Sequence, residues 1–406
     1  MENLTGKTVI LGITGGIAAY KMANVASGLK KAGADVHVIM TKHAAEFITP
    51  LTFETLTKNR CITDMFDRHF EYDVKHISLA KAADLILVAP ATANVIAKLA
   101  HGIADDMLTT VVLAAKCRKL VSPAMNTAML ENPVTQDNIG ILKHYGFDII
   151  EPGVGLLACE DVGSGRLPEP EELLAEIEFR LAREKTLAGK TVTVTAGPTE
   201  EAIDPVRVIT NHSTGTMGYA LAKEAALRGA KVNLISGPVA LDPVRHAEVI
   251  PVVSAAQMKE AVMQVIPETD IYISAAAVAD YRPKTVAGEK IKKKDDDADL
   301  VLELARTDDI LAGIAAYAEQ AAKKPFICGF AMETEHLLEN AAAKFAKKKM
   351  DLIVANSLRT PGAGFGTSTN VVTLYDGEEM TELPLMAKSE VAKCIFDVIE
   401  KKTGSM

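Results

Sequence analysis

The chain has 406 residues, more than one ordinary core accommodates, so two domains are the default. Ala, Val, Ile and Leu dominate an apolar content of 48%, and Trp is absent, which favours helices packed on a parallel sheet over a β-sandwich. A net charge of −9 argues against broad contact with nucleic acid or an acidic membrane and leaves room for a local basic pocket.

Lys7–Thr14 is an apolar, β-branched run that predicts a strand. Gly15 and Gly16 turn it, Ile17–Lys31 has helical spacing, Gly33 ends the helix, and Ala34–Thr41 predicts a second strand. This is a β-α-β opening. Asp84–Ala91 and Leu120–Ala124 predict further buried strands, with helices over Val95–Ala100, Met107–Ala115 and Thr135–Tyr145. The expected architecture is a doubly wound parallel sheet.

The pattern restarts near residue 189. "LTGKTVILGITGG" is echoed by "LAGKTVTVTAGPT", and "KKAGADVHVIMT" by "LRGAKVNLISG". Duplication and repeated use of one common supersecondary unit both account for the echo. Two domains are expected, 1–188 and 189–406, joined through a helix at Glu171–Arg183. In the second, strands are predicted at Ile271–Val278, Phe326–Ala331, Leu352–Ala355 and Val371–Tyr375, and helices at Gln257–Val265, Asp308–Ala322, Leu337–Lys348 and Ser389–Lys401. Gly153–Gly165 and Thr360–Asn370 are Gly-rich, as mobile covers or plain connections are.

Five scattered cysteines (Cys61, Cys117, Cys159, Cys328, Cys394) with no C-x-x-C pair read as free thiols of a reducing compartment. No apolar run approaches the roughly 20 residues of a membrane span, and Met1–Lys7 lacks a signal pattern. A cytoplasmic protein is expected.

Gly15-Gly16 between strand and helix suits an anion over a helix N-terminus. A dinucleotide fingerprint needs G-x-G-x-x-G and an acidic residue ending the second strand. Here the glycines are Gly12, Gly15 and Gly16, and that strand ends at Thr41, whose hydroxyl suits a phosphate. A mononucleotide such as FMN fits better than NAD. "APATAN" (Ala89–Asn94) and "SPAMN" (Ser122–Asn126) each end a buried strand, at the edge where open α/β sheets bind ligands. Small residues there admit a flat ring. His76 reads as a base or as a core histidine.

In the second half, Asn211 precedes the Gly-rich "HSTGTMG", which suits a carboxylate or phosphate. Asp280 follows a strand end. Lys290, Lys292, Lys293 and Lys294 form a basic run beside Asp295–Asp297, read either as a solvated loop or as a phosphate clamp.

"GITGGIAAYK", "HISLAKAADLILVAPATAN", "SPAMNTAM" and "LLACEDVGSGRLPEP" resemble the FMN-dependent cysteine decarboxylases. With "TAGPTEEAIDPVRVITNHSTGTMG", "SAAAVADYRP", "KIKK" and "GFAMET" the order resembles the bacterial bifunctional phosphopantothenoylcysteine decarboxylase / phosphopantothenate–cysteine ligase family over nearly the whole chain. The resemblance implies two doubly wound, mostly parallel, Rossmann-like domains, the first flavodoxin-like. It implies that cysteine is joined to 4′-phosphopantothenate with CTP and Mg²⁺, through an acyl-cytidylate, and that the product is then decarboxylated oxidatively with FMN to 4′-phosphopantetheine. It also implies homo-oligomers with trimeric decarboxylase and dimeric ligase contacts.

Carried over by position, His76 matches the active-site histidine, Asn126 the substrate-positioning asparagine and Cys159 the cysteine of a substrate-covering flap. Gly15, Gly16, Thr41, Thr92, Ala93, Asn94 and Met125 are expected around FMN. Asn211 matches the residue at the activated carboxyl, Arg207 lies in the same substrate motif, and Lys290 matches the catalytic lysine. Ser274, Ala275, Ala276, Asp280, Lys290, Asp308, Asp309, Ile310, Leu311, Phe330, Lys344 and Lys348 match the CTP site, with Asp280 the candidate metal ligand. Two positions depart from the pattern: Pro198 follows Gly197 where a glycine is expected, and Thr216 stands where a lysine is expected. Two rival readings are a non-catalytic flavin-fold regulator and a tandem nicotinamide-dependent dehydrogenase. His76, Asn126 and Cys159 together with the ligase motifs weigh against the first. The absent third glycine and absent acidic residue after Ile39–Thr41 weigh against the second.

Overall fold

The computed structural model describes residues 3–66, 75–156, 162–292, 299–333, 344–357, 364 and 366–404. The chain forms two compact units, Met1–Arg183 and Glu184–Met406.

The first unit contains β1 (Thr8–Ile13), β2 (Asp35–Met40), β3 (Leu85–Ala91), β4 (Arg118–Pro123), β5 (Asp148–Ile149), β6 (Gly153–Leu156) and β7 (Val162–Arg166). Five parallel strands form the sheet, in the order β2-β1-β3-β4-β5, the flavodoxin-like winding. Its strands read as continuous apolar runs because both faces are covered. Val9, Leu11 and Ile13 of β1 pack with Met22, Val25, Leu29 and Ile177 on one face, while Ile10 packs with Leu108, Val111 and Leu142 on the other. Gly12 permits the second contact, since a Cβ there would meet Leu108 Cδ1 at 2.4 Å. The helix expected from Ile17 begins as a 3₁₀ segment, Ile17–Lys21, and becomes α-helical over Met22–Lys31. The Gly-rich stretch after Gly153 holds an antiparallel hairpin, β6 with β7.

The second unit contains β8 (Thr191–Ala196), β9 (Glu201–Ala202), β10 (Val208–Ile209), β11 (Lys231–Ser236), β12 (Ala247–Pro251), β13 (Ile271–Ser274), β14 (Tyr281–Pro283), β15 (Leu304–Arg306), β16 (Phe326–Glu333), β17 (Leu352–Ser357), β18 (Thr369–Tyr375) and β19 (Met380–Ala387). The main sheet runs β12-β11-β8-β13-β16-β17-β18-β19, parallel through β17 and antiparallel for its last two strands. β9 with β10, and β14 with β15, make short antiparallel ribbons beside it. The expected strand Ile271–Val278 stops at Ser274, where the chain leaves the ladder towards the Gly197–Thr199 turn.

Residues 184–188 hydrogen-bond to the second unit. Lys185 Nζ donates to the Leu227 carbonyl at 2.5 Å, Leu187 N to the Arg228 carbonyl at 2.9 Å, and Thr186 Oγ1 to Glu400. The C-terminal helix, Lys388–Thr403, packs on the helix Thr216–Leu227. Arg228, only 4% exposed, joins the two through Glu224 and Glu400, both at 2.8 Å. Such a buried, fully paired cluster fixes how the two helices meet.

Candidate functional site

In the first unit, the ends of β2, β3 and β4 pass directly into helices, and each junction is side-chain capped. Thr41 Oγ1 accepts from Ala44 N (3.3 Å), Thr92 Oγ1 from Val95 N (3.4 Å) and Asn126 Oδ1 from Ala128 N (2.9 Å). Three residues singled out for cofactor or substrate contact are therefore helix N-caps as well. The Thr41 hydroxyl, expected to face a phosphate, carries this cap.

A buried side chain ties β1 to β3 at the same edge. Thr14 Oγ1 donates to the Pro90 carbonyl (2.6 Å) and accepts from Thr92 N (3.1 Å). Gly15 is held to a tight course, because a Cβ there would lie 2.4 Å from His43 Cβ and 3.2 Å from its backbone carbon.

These constraints leave a cleft of about 660 Å³ at the carboxyl ends of β1, β3 and β4, where the winding reverses. Gly15, Gly16, Thr92, Ala93, Met125 and Asn126 line it. An adjoining cleft of about 590 Å³ shares Gly15, Thr92 and Ala93 and adds Thr41 and Asn94. All the residues expected at the flavin thus fall on two adjoining clefts. Lys21 and Arg166 also line the first, though neither was singled out from sequence. Lys21 is 8% exposed and donates to the Leu167 carbonyl (3.2 Å) and Glu169 (3.0 Å). That bond holds the Glu169 carboxyl below its ordinary pKa. A lysine in a short apolar helix gave no signal of its own; its partner lies 148 residues away.

The hairpin is clamped to the Asn126 loop at its root. Met125 N donates to the Gly165 carbonyl (3.0 Å) and Thr127 Oγ1 to the Ser164 carbonyl (2.8 Å). Gly163 and Gly165, part of the Gly-rich stretch that suits a mobile cover or a plain connection, are here positions of close approach. Cβ atoms would lie 2.3 Å from Thr127 Oγ1 and 2.1 Å from the Met125 carbonyl oxygen. Cys159 lies outside the described residues. His76 lies in the helix Lys75–Ala82 and is not among the residues lining either cleft.

In the second unit, Asn211 ties two loops together. Its Nδ2 donates to the Ala277 carbonyl (2.7 Å) and its Oδ1 accepts from Ser213 N (3.0 Å). The helix that follows begins at Thr216, capped by Gly215 at φ +75, so Asn211 anchors the loop and does not cap the helix. Gly218 lets this helix press on β8, since a Cβ would meet that of Ala196 at 2.5 Å. The Gly215–Gly218 turn, Ala275, Ala276, Phe330, Asn356 and Lys388 surround a cavity of about 160 Å³. Pro198 is buried with its carbonyl against Gly237 and is not among the residues lining this cavity.

Arg207 is held by an acid that sequence reasoning missed. Asp204, 2% exposed, accepts from Arg207 Nε (2.9 Å) and Nη2 (2.5 Å), and from the backbone N–H groups of Val206, Arg207 and Ile291. Arg207 Nη2 also donates to the Ile291 carbonyl (2.8 Å). The Arg207 hydrogen bond is the largest influence holding the Asp204 carboxyl well below the usual carboxylate range. Both the Asp204 and the Arg207 bonds to this segment fall on the backbone of Ile291, the residue after the exposed Lys290. A neighbouring group forms at the start of the helix Ile310–Gln320. There Asp309 accepts from Ala312 N (3.0 Å) and pairs with Lys348, and Asp308 pairs with Lys259 (2.9 Å). Ala276, Ile310 and Leu311 share one apolar cluster, which links this group to the cavity wall. Lys344 lies one helical turn before Lys348, and Ser274 ends β13 just before Ala275. Asp280 is exposed, and among the described residues no group of three or more His, Cys, Asp or Glu is arranged to hold a metal ion.

Residues 1–182 match the Flavoprotein family, and residues 187–403 match the DNA/pantothenate metabolism flavoprotein C-terminal domain. The Coenzyme A biosynthesis bifunctional protein CoaBC of Bacillus subtilis is 50% identical, with 99% of each chain covered. That of Vibrio vulnificus is 47% identical over the whole of both chains. The chain belongs to the CoaBC family of bifunctional coenzyme A biosynthesis proteins. A crystal structure of the C-terminal domain of a CoaBC protein, 42% identical, covers 55% of this chain and all of its own, with a TM-score of 0.46. Like its family, the chain is a bifunctional enzyme, with a phosphopantothenoylcysteine decarboxylase half and a phosphopantothenate–cysteine ligase half. The two rival readings, regulator and dehydrogenase, fall with that result. No helix among the described residues is long and apolar enough to cross a membrane.

Proposed function

We propose that residues 1–188 bind FMN in the clefts at the β1/β3 switch and that residues 189–406 activate 4′-phosphopantothenate with CTP. The first reading is carried by one observation: Gly15, Gly16, Thr92, Ala93, Met125 and Asn126 converge on one cleft. It fits a mononucleotide, because Gly15 and Gly16 leave the backbone bare at the sheet edge. FMN supplies two-electron chemistry at the carbon bearing the substrate thiol, which makes CO₂ loss easy. The chain binds and orients. Asn126, fixed by its cap, positions the carboxylate that departs as CO₂. Cys159, which falls in sequence between the hairpin's two strands, is the proton donor for the final reduction. His76, which is not among the residues lining either cleft, is assigned to the cleft of a neighbouring copy in a trimer.

In the ligase half, Ser274, Ala275, Ala276 and Phe330 form the nucleotide wall, with Asp308–Leu311, Lys344 and Lys348 beside it. Arg207 and Asn211 hold the substrate carboxylate. A carboxylate oxygen attacks the α-phosphorus and pyrophosphate leaves. The cysteine amine then attacks the acyl carbon and expels CMP. Lys290 balances charge at the α-phosphate. Asp280 would be the side chain that holds Mg²⁺, which would neutralise charge on the triphosphate.

An absorption spectrum tests the first reading. The purified chain should show a flavin band, and acid extraction should release FMN. A colourless chain that decarboxylates phosphopantothenoylcysteine would overturn it.

A further inference from the structure

The 160 Å³ cavity of the second unit is lined by a cation, Lys388, with no part in the ligation chemistry proposed for that unit. Lys388 opens the C-terminal helix and is only 7% exposed. Its Nζ donates to Thr216 Oγ1 (2.7 Å) and to the Gly364 carbonyl (3.2 Å). Both acceptors are neutral, and no carboxylate among the described residues pairs with it. An ammonium has three N–H donors, and two are engaged here. Lys388 lines the cavity, so a third donor is left for what the cavity holds.

A buried unpaired ammonium is costly and persists where an anion completes it. Burial accordingly lowers the Lys388 pKa from its ordinary value. Two further features of the same cavity point to a polar ligand. The 12-residue helix Thr216–Leu227 begins there, and its first-turn N–H groups have no partners within the helix. Asn356, 6% exposed, lines the cavity with an Oδ1 that has no hydrogen-bond partner.

We propose that Lys388 is the phosphate-binding cation of the ligase site, reaching from the C-terminal helix to the β- and γ-phosphate oxygens of the nucleoside triphosphate above the Thr216 helix. As the substrate carboxylate oxygen bonds to the α-phosphorus, the bond from that phosphorus to the bridging oxygen breaks. Pyrophosphate leaves with the electron pair, and Lys388 with the helix N-terminus takes up the added negative charge. The Thr216 hydroxyl orients the ammonium. This role rests on the nucleotide reading of the second unit.

Equilibrium dialysis on the full-length protein tests it. Lys388→Gln should weaken CTP and inorganic pyrophosphate about ten- to hundredfold, the loss expected for a charged hydrogen bond, and should weaken CMP less than about twofold. Adding Thr216→Lys to Lys388→Gln returns a charge from the other side of the same contact and should restore CTP binding to within a few-fold. A Lys388→Gln protein that binds CTP like the wild type overturns the role. So does a parallel loss of CTP and CMP that Thr216→Lys does not restore, which would make Lys388 only a tether for Gly364. If Lys388→Gln alone does not fold, the double variant decides: CTP binding supports the role, and a folded double variant without it overturns it. A wild-type chain that binds no CTP overturns the ligase reading itself.

Discussion

Gly165 passes so close to Met125 that a Cβ on it would stand 2.1 Å from the Met125 carbonyl oxygen. Its φ of +125 is also one that side-chain-bearing residues rarely adopt. Gly165→Ala should therefore push the hairpin root off the Asn126 loop. The strain is on the order of 1–3 kcal/mol. A shift of roughly 2–10 °C in the melting of the first unit follows, with decarboxylation falling further than ligation. Differential scanning calorimetry with separate assays of the two reactions checks this; unchanged decarboxylation would show that the clamp does not matter.

If His76 serves a neighbouring copy's cleft, two inactive variants can repair one another. His76→Asn and Asn126→Asp should each abolish decarboxylation alone. Co-expressed, they should form mixed oligomers in which some clefts pair an intact His76 with an intact Asn126. Partial recovery of CO₂ release supports the assignment. No recovery in demonstrably mixed oligomers would place His76 and Asn126 in the same chain's site or leave His76 without a role.

Cys159→Ser should separate CO₂ loss from product formation. A free thiol with a pKa of about 8.5 is protonated at neutral pH and can donate only where a proton is consumed, in the last reduction. The variant should release CO₂ in a single turnover and accumulate a product two hydrogens lighter than 4′-phosphopantetheine, seen by mass spectrometry. Normal turnover would assign the proton to another group.

Asn211→Asp should stall the ligase after activation. The amide donates to the Ala277 carbonyl and accepts from Ser213 N; a carboxylate keeps only the second bond. The lost donor loosens the two loops, and the new charge opposes an anionic intermediate. Acyl-cytidylate should build up while cysteine consumption falls by about an order of magnitude or more. Equal loss of both steps would mean that Asn211 only anchors the loop.

Much of this was legible because it is local. Apolar runs such as Thr8–Ile13 and Thr191–Ala196 announce strands buried on both faces, and Gly15-Gly16 marks the turn between strand and helix. β19 escaped because it is a largely exposed edge strand interrupted by Pro384, with no buried run to read. The hairpin escaped because its strands are glycine-rich, and glycine speaks for a loop before it speaks for close packing. Asp204 hid in "IDPVR", where an acid three residues before an arginine looks like surface charge until burial shows it gathering five hydrogen bonds. Lys388 meets Thr216 across 172 residues, a separation that spacing cannot report.

A complete turnover decides whether one chain runs both a CTP-driven ligation and a flavin-dependent decarboxylation. The purified chain is given 4′-phosphopantothenate, cysteine and CTP, and CMP, pyrophosphate, CO₂ and 4′-phosphopantetheine are counted. Each cycle should yield one of each, and the chain stripped of its flavin should still release CMP and pyrophosphate but stop at phosphopantothenoylcysteine, with no CO₂. Release of CDP and phosphate in place of CMP and pyrophosphate, or undiminished CO₂ release from the stripped chain, would contradict it.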